Sequence, residues 1–264
     1  MERNNLQNPV MKKTLLIVLN ILSFAGTLVV NTLANALPIN GKNTGELSAL
    51  YPNEFVPAGY TFSIWLLIYI SLAGFVVYQA GAFTNVNKEP MIQKMGILFI
   101  LSNLLNMSWI LVWHYMIMWA SVLVMLGLLT TLITIHTRFE IPRRAATSGE
   151  KLWLQLPFSI YLGWIMIATI ANFTAFLVHN NWQGYPLPGS VWAIIMIIVA
   201  TSLCVIFLWR RNNYVIPLVA LWSITGIIVK QRSLNGWNDV AVAGSVCCSV
   251  LLLSLVLRAN SRRL

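Results

Sequence analysis

Residues 152–178 read LWLQLPFSIYLGWIMIATIANFTAFLV, a run with no Asp, Glu, Lys or Arg. A hydrocarbon core of about 30 Å needs roughly 20 mostly apolar helical residues, and in lipid only a helix or a closed barrel satisfies its own backbone. The run is therefore a membrane span, and it sets the scale for the rest of the chain. Four further stretches of the same kind precede it, at 14–37, 57–80, 95–115 and 117–136, and three follow, at 189–209, 213–229 and 239–257. The fold class is an all-α integral membrane protein of about eight helices. The seventh stretch is the shortest and carries Pro217 near its start, so it reads as either a complete span or a kinked partial one. The first follows Lys12 and Lys13 and ends in Ala34-Asn35-Ala36, like a signal peptide, but it is too long for the apolar core of one and reads as a retained span.

Composition agrees with this segmentation. Of 264 residues, 58% are hydrophobic and 9% charged, and mean hydropathy is +0.74, whereas soluble domains carry about a quarter charged residues. Every formal charge falls at or beyond the end of an apolar run. With the N-terminus inside, the inner side receives Arg3, Lys12, Lys13, Lys88, Lys94, Arg138, Arg143, Arg144, Lys151, Arg210, Arg211, Arg258, Arg262 and Arg263, and the outer side only Lys42, Lys230 and Arg232. This positive-inside pattern puts both termini in the cytoplasm. The net charge of +10 thus reports topology and attraction to anionic lipid, not a nucleic-acid partner. A bacterial cytoplasmic membrane is the expected location. Cys204, Cys247 and Cys248 lie in apolar stretches as small hydrophobes, with no metal-ligand or redox spacing.

The span interiors contain no ionisable carboxylate or cation, which disfavours a proton-coupled pump and leaves hydrolytic, metal and acid–base chemistry without residues. His114, His136 and His179 fall near span ends and read as interfacial polar residues. What the spans do contain is tryptophan, eleven in all, together with asparagine. Trp119, Trp153, Trp182, Trp192, Trp209 and Trp237 sit where aromatic belts form. The others are deeper. At about 1.5 Å per residue, Trp65 and Tyr69 lie roughly 12 and 18 Å below the outer entry of the second span. Asn106 and Trp109 lie roughly 17 and 21 Å above the inner entry of the third, and Trp164 and Asn172 roughly 18 and 30 Å up the fifth. With Asn31 on the first span, these residues share the middle to outer half of the bilayer. A single buried amide is explained as interhelical glue. Aromatic walls with several amides and no charge suit a flat apolar ligand with polar handles, such as a porphyrin or a sterol.

Three local patterns carry a family resemblance. The second span opens Pro57-Ala58-Gly59-Tyr60-Thr61-Phe62-Ser63-Ile64-Trp65 and reaches Tyr69, the third contains Asn106-Met107-Ser108-Trp109, and the fifth places Trp164, Ala168 and Asn172 four residues apart on one helical face. In this order on consecutive spans they resemble the TspO/MBR family, the tryptophan-rich sensory proteins related to the mitochondrial translocator protein. The resemblance covers about residues 14–180 and implies a five-helix membrane bundle over 1–180, with 181–264 as a three-helix C-terminal extension. It also implies a ligand pocket closed by the loop after the first helix. Trp65, Tyr69, Asn106, Trp109, Trp164, Ala168 and Asn172 would line or support that pocket, with Asn31, Pro57, Tyr60 and Phe62 in supporting places. The chain departs from the pattern where the family has adjacent prolines and a tryptophan and this sequence has Pro57-Ala58 and Tyr60. Ile160 stands where the family has a proline.

The expectation is a membrane-embedded receptor or carrier for a porphyrin, a haem-related tetrapyrrole or a sterol-like molecule, with lipid as its surroundings, a homodimer as an open option and no required cofactor. The alternative is a small-solute transporter or permease subunit without ion coupling, for which eight spans leave room. Light-dependent porphyrin breakdown through pocket tryptophans is the least supported option.

Overall fold

The computed structural model describes residues 9–37, 39–81, 88–143, 145–182 and 186–261. Arg3, Arg144, Arg262 and Arg263 of the charge count lie outside them, as do both chain ends. The described residues form helices and no strand: α1 (Pro9–Ala36), α2 (Thr44–Ala49), α3 (Ile64–Gln79), α4 (Glu89–Met95), α5 (Leu98–His114), α6 (Met118–Arg138), α7 (Ser148–Glu150), α8 (Leu156–His179), α9 (Gly189–Arg211), α10 (Val215–Asn235) and α11 (Asp239–Asn260). Seven helical segments are long and apolar enough to cross a membrane, and the pair α4–α5, bent by 46°, supplies an eighth. The chain is an integral membrane protein.

Each departure from a plain row of helices has a local cause. The α4–α5 bend sits at Gly96, whose φ of 55° lies in a region that side chains with a Cβ rarely adopt. α7 begins at a capping box in which Thr147 and Glu150 satisfy each other's backbone N–H groups. A π-helical turn over Lys151–Gln155 then leads into α8, next to Pro157, which has no N–H to close an α-helical ring. Pro217 lies in the first turn of α10, where the missing N–H has no intrahelical partner to lose. The seventh span is accordingly a full helix of 21 residues, longer than the sequence run.

α8 is the central post, buried without interruption from Pro157 to Ile167. It packs against α6, α3 and α10, while α1 lies mainly along α5 and meets α3 sparingly. Two glycines set close crossings. A Cβ on Gly163 of α8 would stand 3.1 Å from Cβ of Val219 on α10, and one on Gly74 of α3 would fall within 2.3 Å of the Trp153 ring. Trp153 is thereby packed on α3, whereas Trp119 and Trp237 stand exposed at helix ends. α9, α10 and α11 pack on one another, and α10 makes their main junction with the rest.

Candidate functional site

The loop after α1 is a folded cap. Asn43 and Glu46 form a capping box that starts α2, and Leu47, Tyr51, Phe55 and Val56 are buried beneath it. The chain then enters α3 through a 3₁₀ turn over Gly59–Ser63. That turn is clamped from the C-terminal side of the molecule. Ala58 N–H donates to the Gly226 carbonyl of α10 at 3.0 Å, and Trp222 Nε1 donates to the Thr61 carbonyl at 3.0 Å. At Gly226 the approach is so close that a Cβ would lie 2.1 Å from Thr61 Oγ1 and 3.1 Å from Cβ of Pro57.

The clamped turn delivers Phe62 and Trp65. The Trp65 indole stacks on Tyr69 at 5.6 Å and on Trp109 at 6.1 Å, and meets Tyr161 and Trp164 edge-on at 6.1 and 6.0 Å. Phe62 adds an edge contact to Trp164 at 5.9 Å, and Trp113 stacks on Trp109 at 5.8 Å. These rings come from the turn before α3, α3 itself, α5 and α8. Amides fix the assembly from behind. Trp109 Nε1 donates to Asn172 Oδ1 at 2.9 Å, and Asn172 Nδ2 donates to Ser121 Oγ at 2.9 Å. Asn31 Nδ2 donates to Asn106 Oδ1 at 2.9 Å, and Asn106 Nδ2 to the Tyr161 hydroxyl at 3.1 Å. These pairs bind α5 to α8 and to α1, and α8 to α6.

Within the cluster lies a hollow of about 50 Å³ lined by Pro57, Phe62, Trp65, Trp109, Trp113, Trp164, Ala168 and Asn172, with Thr44 and Ser48 of α2 above it. It has room for a few waters. The indole N–H groups of Trp113 and Trp164 are buried without a hydrogen-bond partner. Beside it, where α1 and α3 diverge, runs an open groove of about 670 Å³ lined by Asn31, Asn35, Asn43, Trp65 and Tyr69 among others. Trp65, Phe62 and Thr44 line both spaces, so the three stand between them, and Trp65 is the largest side chain of that partition.

Of the residues singled out from sequence, Pro57, Phe62, Trp65, Trp109, Trp164, Ala168 and Asn172 line the hollow, and Asn31 and Tyr69 line the groove. Asn106 lines neither. It is wholly buried and holds Asn31 and Tyr161. Tyr60 is turned away, 47% exposed and edge-on to Trp222 at 5.6 Å; it stands in the 3₁₀ turn ahead of α3, five residues from Trp65 and off its face. His114 and His136 are buried and held by the carbonyls of Ile110 and Phe158. They pack in the interior instead of facing the interface. Sequence reading passed over Trp113, Tyr161, Thr44 and Ser48, although Trp113 follows Trp109 by one helical turn and Tyr161 precedes Trp164 by three residues. It gave Thr61 and Gly226 no role of their own.

A second polar feature runs along α1. Asn20, Ser23, Thr27, Asn31 and Asn35 recur every three or four residues on one helical face and meet Gln79, Asn103 and Asn106 across the packing. At its N-terminal end Asn20 Oδ1 and Gln79 Nε2 are buried without partners.

Residues 17–257 match the family model described as TSPO-like protein, and the match takes in the last three helices. No curated protein and no solved structure matches the chain.

Proposed function

The chain belongs to the TSPO-like protein family, and on that premise we propose that it is a membrane-embedded receptor or carrier that senses or handles a flat hydrophobic ring system. A porphyrin or haem-related tetrapyrrole fits best, and a sterol-like molecule second. The observation that carries the reading is the Trp65 partition. Ligand sites usually measure about 300–1,000 Å³, a range that includes the groove and excludes the hollow. A guest lying in the groove extends into the hollow only by displacing Trp65, which costs four ring contacts of about 0.5–1.5 kcal/mol each. A flat aromatic guest replaces those contacts face for face; a saturated one replaces them less well. The unpaired N–H groups of Trp113 and Trp164 are donors for a carbonyl or carboxylate on the guest, whose acceptance removes a burial penalty of about 1–3 kcal/mol per donor.

The test is titration of the purified protein with protoporphyrin IX while tryptophan fluorescence is followed. Saturable quenching that is lost in the Trp164→Ala variant supports the reading. Unsaturable quenching, or quenching equal in that variant, removes it.

The α1 seam favours a second reading, facilitated passage of a small neutral polar solute, because its orphaned amide atoms lie in the inner half, opposite the groove. Flux of such a solute into proteoliposomes separates the two readings, since a receptor shows saturable binding without net transport.

A further inference from the structure

The opposite face of α8 borders another cavity, of about 540 Å³, between α8, α9 and the loop after α1. Its walls include Phe55, Phe173, Trp182 and Trp192, with the two indoles edge-to-face at 5.1 Å. Glu54 is the one charged residue lining it. The loop that carries Glu54 is rigidly set. Asn53 Oδ1 accepts from the N–H groups of Phe55 and Val56 at 3.0 Å each. Gln231 Nε2 of α10 donates to the Glu54 carbonyl at 2.9 Å, and Gln231 Oε1 accepts from Asn238 at 2.8 Å. A Cβ on Gly189 would stand 3.7 Å from Glu54 Oε1, so the glycine leaves open space beside the carboxylate.

That carboxylate has no cation beside it among the described residues. The charged group that it feels is Asp239, of the same sign, and partial burial together with this repulsion holds the Glu54 carboxyl above its ordinary range. A partly desolvated anion against aromatic faces lacks one component, a positive charge. Two such components act together on a cation, one by charge pairing and the other through the ring quadrupoles. Phe173 and Trp182 are 48% and 39% exposed, so the cavity opens sideways toward the outer half of the membrane.

We propose that this cavity binds a lipophilic organic cation, with its positive centre at Glu54 and its apolar body between Phe173, Trp182 and Trp192. The site is separate from the Trp65 cluster and does not depend on the porphyrin reading. The probe is radiolabelled tetraphenylphosphonium, added to the full-length protein in phosphatidylglycerol nanodiscs, with tetraphenylborate as a competitor of the same shape and opposite charge. Expected are saturable binding, an affinity loss of at least about tenfold in Glu54→Gln, partial recovery in Glu54→Asp, no effect of Trp65→Ala and no competition by the borate. Trp182→Ala, at an exposed position, serves as the second variant should Glu54→Gln misfold, and it too is expected to weaken binding. Binding within about twofold of wild type in both variants, equal competition by the borate, or loss with Trp65→Ala overturns the proposal. Abolition of binding by phosphatidylcholine nanodiscs overturns it in favour of a lipid headgroup as occupant.

Discussion

The two cavities on either side of α8 share a wall material and differ in their polar groups. The hollow is made of four indoles and Phe62 backed by neutral amides, and its unpaired groups are two indole N–H donors and the Thr44 hydroxyl. The outer cavity is made of indoles and phenyl rings around a single carboxylate. On the proposed readings one side takes a ring system that carries acceptors and the other a cation. Both walls are largely aromatic, so the polar atoms set what each would admit while the rings provide area. Both also lean on α10: Trp222 and Gly226 clamp the turn that carries Phe62 and Trp65, and Gln231 clamps the loop that carries Glu54. α10 thus supports both sites, and the family match extends through it.

The sharpest way to break this contrast is to empty one side only. The Trp164→Ala variant is expected to lose about thirtyfold or more in protoporphyrin affinity, as an aromatic anchor and its unpaired indole N–H disappear, while tetraphenylphosphonium binding stays unchanged. Parallel titrations of both probes check it. A parallel fall in both affinities merges the two sites into one.

Next in size is the clamp. Gly226→Ala drives a methyl into Thr61, and overpacking of this kind costs about 1–3 kcal/mol. Because Thr61 sits one residue before Phe62, protoporphyrin affinity is expected to fall about tenfold along with the melting temperature. Thr61→Ala removes both atoms that the new methyl meets most closely, so the double variant is expected to recover most of the loss. A thermodynamic cycle measures this coupling; additive losses exclude a direct clamp.

A smaller effect is expected from the amide relay. Trp109→Phe leaves Asn172 Oδ1 without its donor, costing about 1 kcal/mol for an interhelical hydrogen bond in a membrane bundle. Asn172→Leu orphans the indole N–H by a similar amount, and the pair together is expected to cost less than the sum. Thermal midpoints of the three variants give the answer.

The smallest effect belongs to Glu54. Its carboxyl is raised in the folded protein, so it contributes stability below the ordinary carboxylate range that is lost as pH rises through its raised folded value. Glu54→Gln is therefore expected to raise the melting temperature slightly at pH 7, and the gap is expected to close as pH falls toward 4.5. A gap that widens on acidification contradicts the like-charge neighbourhood of Glu54.

Part of the site was legible because helices write their faces into spacing. Trp164, Ala168 and Asn172 stand four apart, so one ridge of α8 could be read directly. Asn106 and Trp109 show the limit of that method. Three residues separate them by about 60° around the axis, enough for Trp109 to face the hollow while Asn106 turns to Asn31 and Tyr161. Tyr60 shows another, since a 3₁₀ turn does not continue the phase of the α-helix behind it. The Gly226–Thr61 approach leaves no local trace, because each residue is ordinary in its own segment and only the packing of α10 on the turn makes the glycine necessary. The eight spans were readable from apolar length alone; the bend between α4 and α5 was not, since Gly96 does not announce a positive φ.

The central claim is that Trp65 partitions one continuous site and gives way to a flat guest. It is tested most directly by an experimental structure with protoporphyrin IX bound. The account predicts the guest in the groove and hollow, touching Trp109 and Trp164, with the Trp65 ring moved out of its stack. A guest seated on the lipid-facing surface, with the Trp65, Tyr69 and Trp109 stack intact, contradicts it.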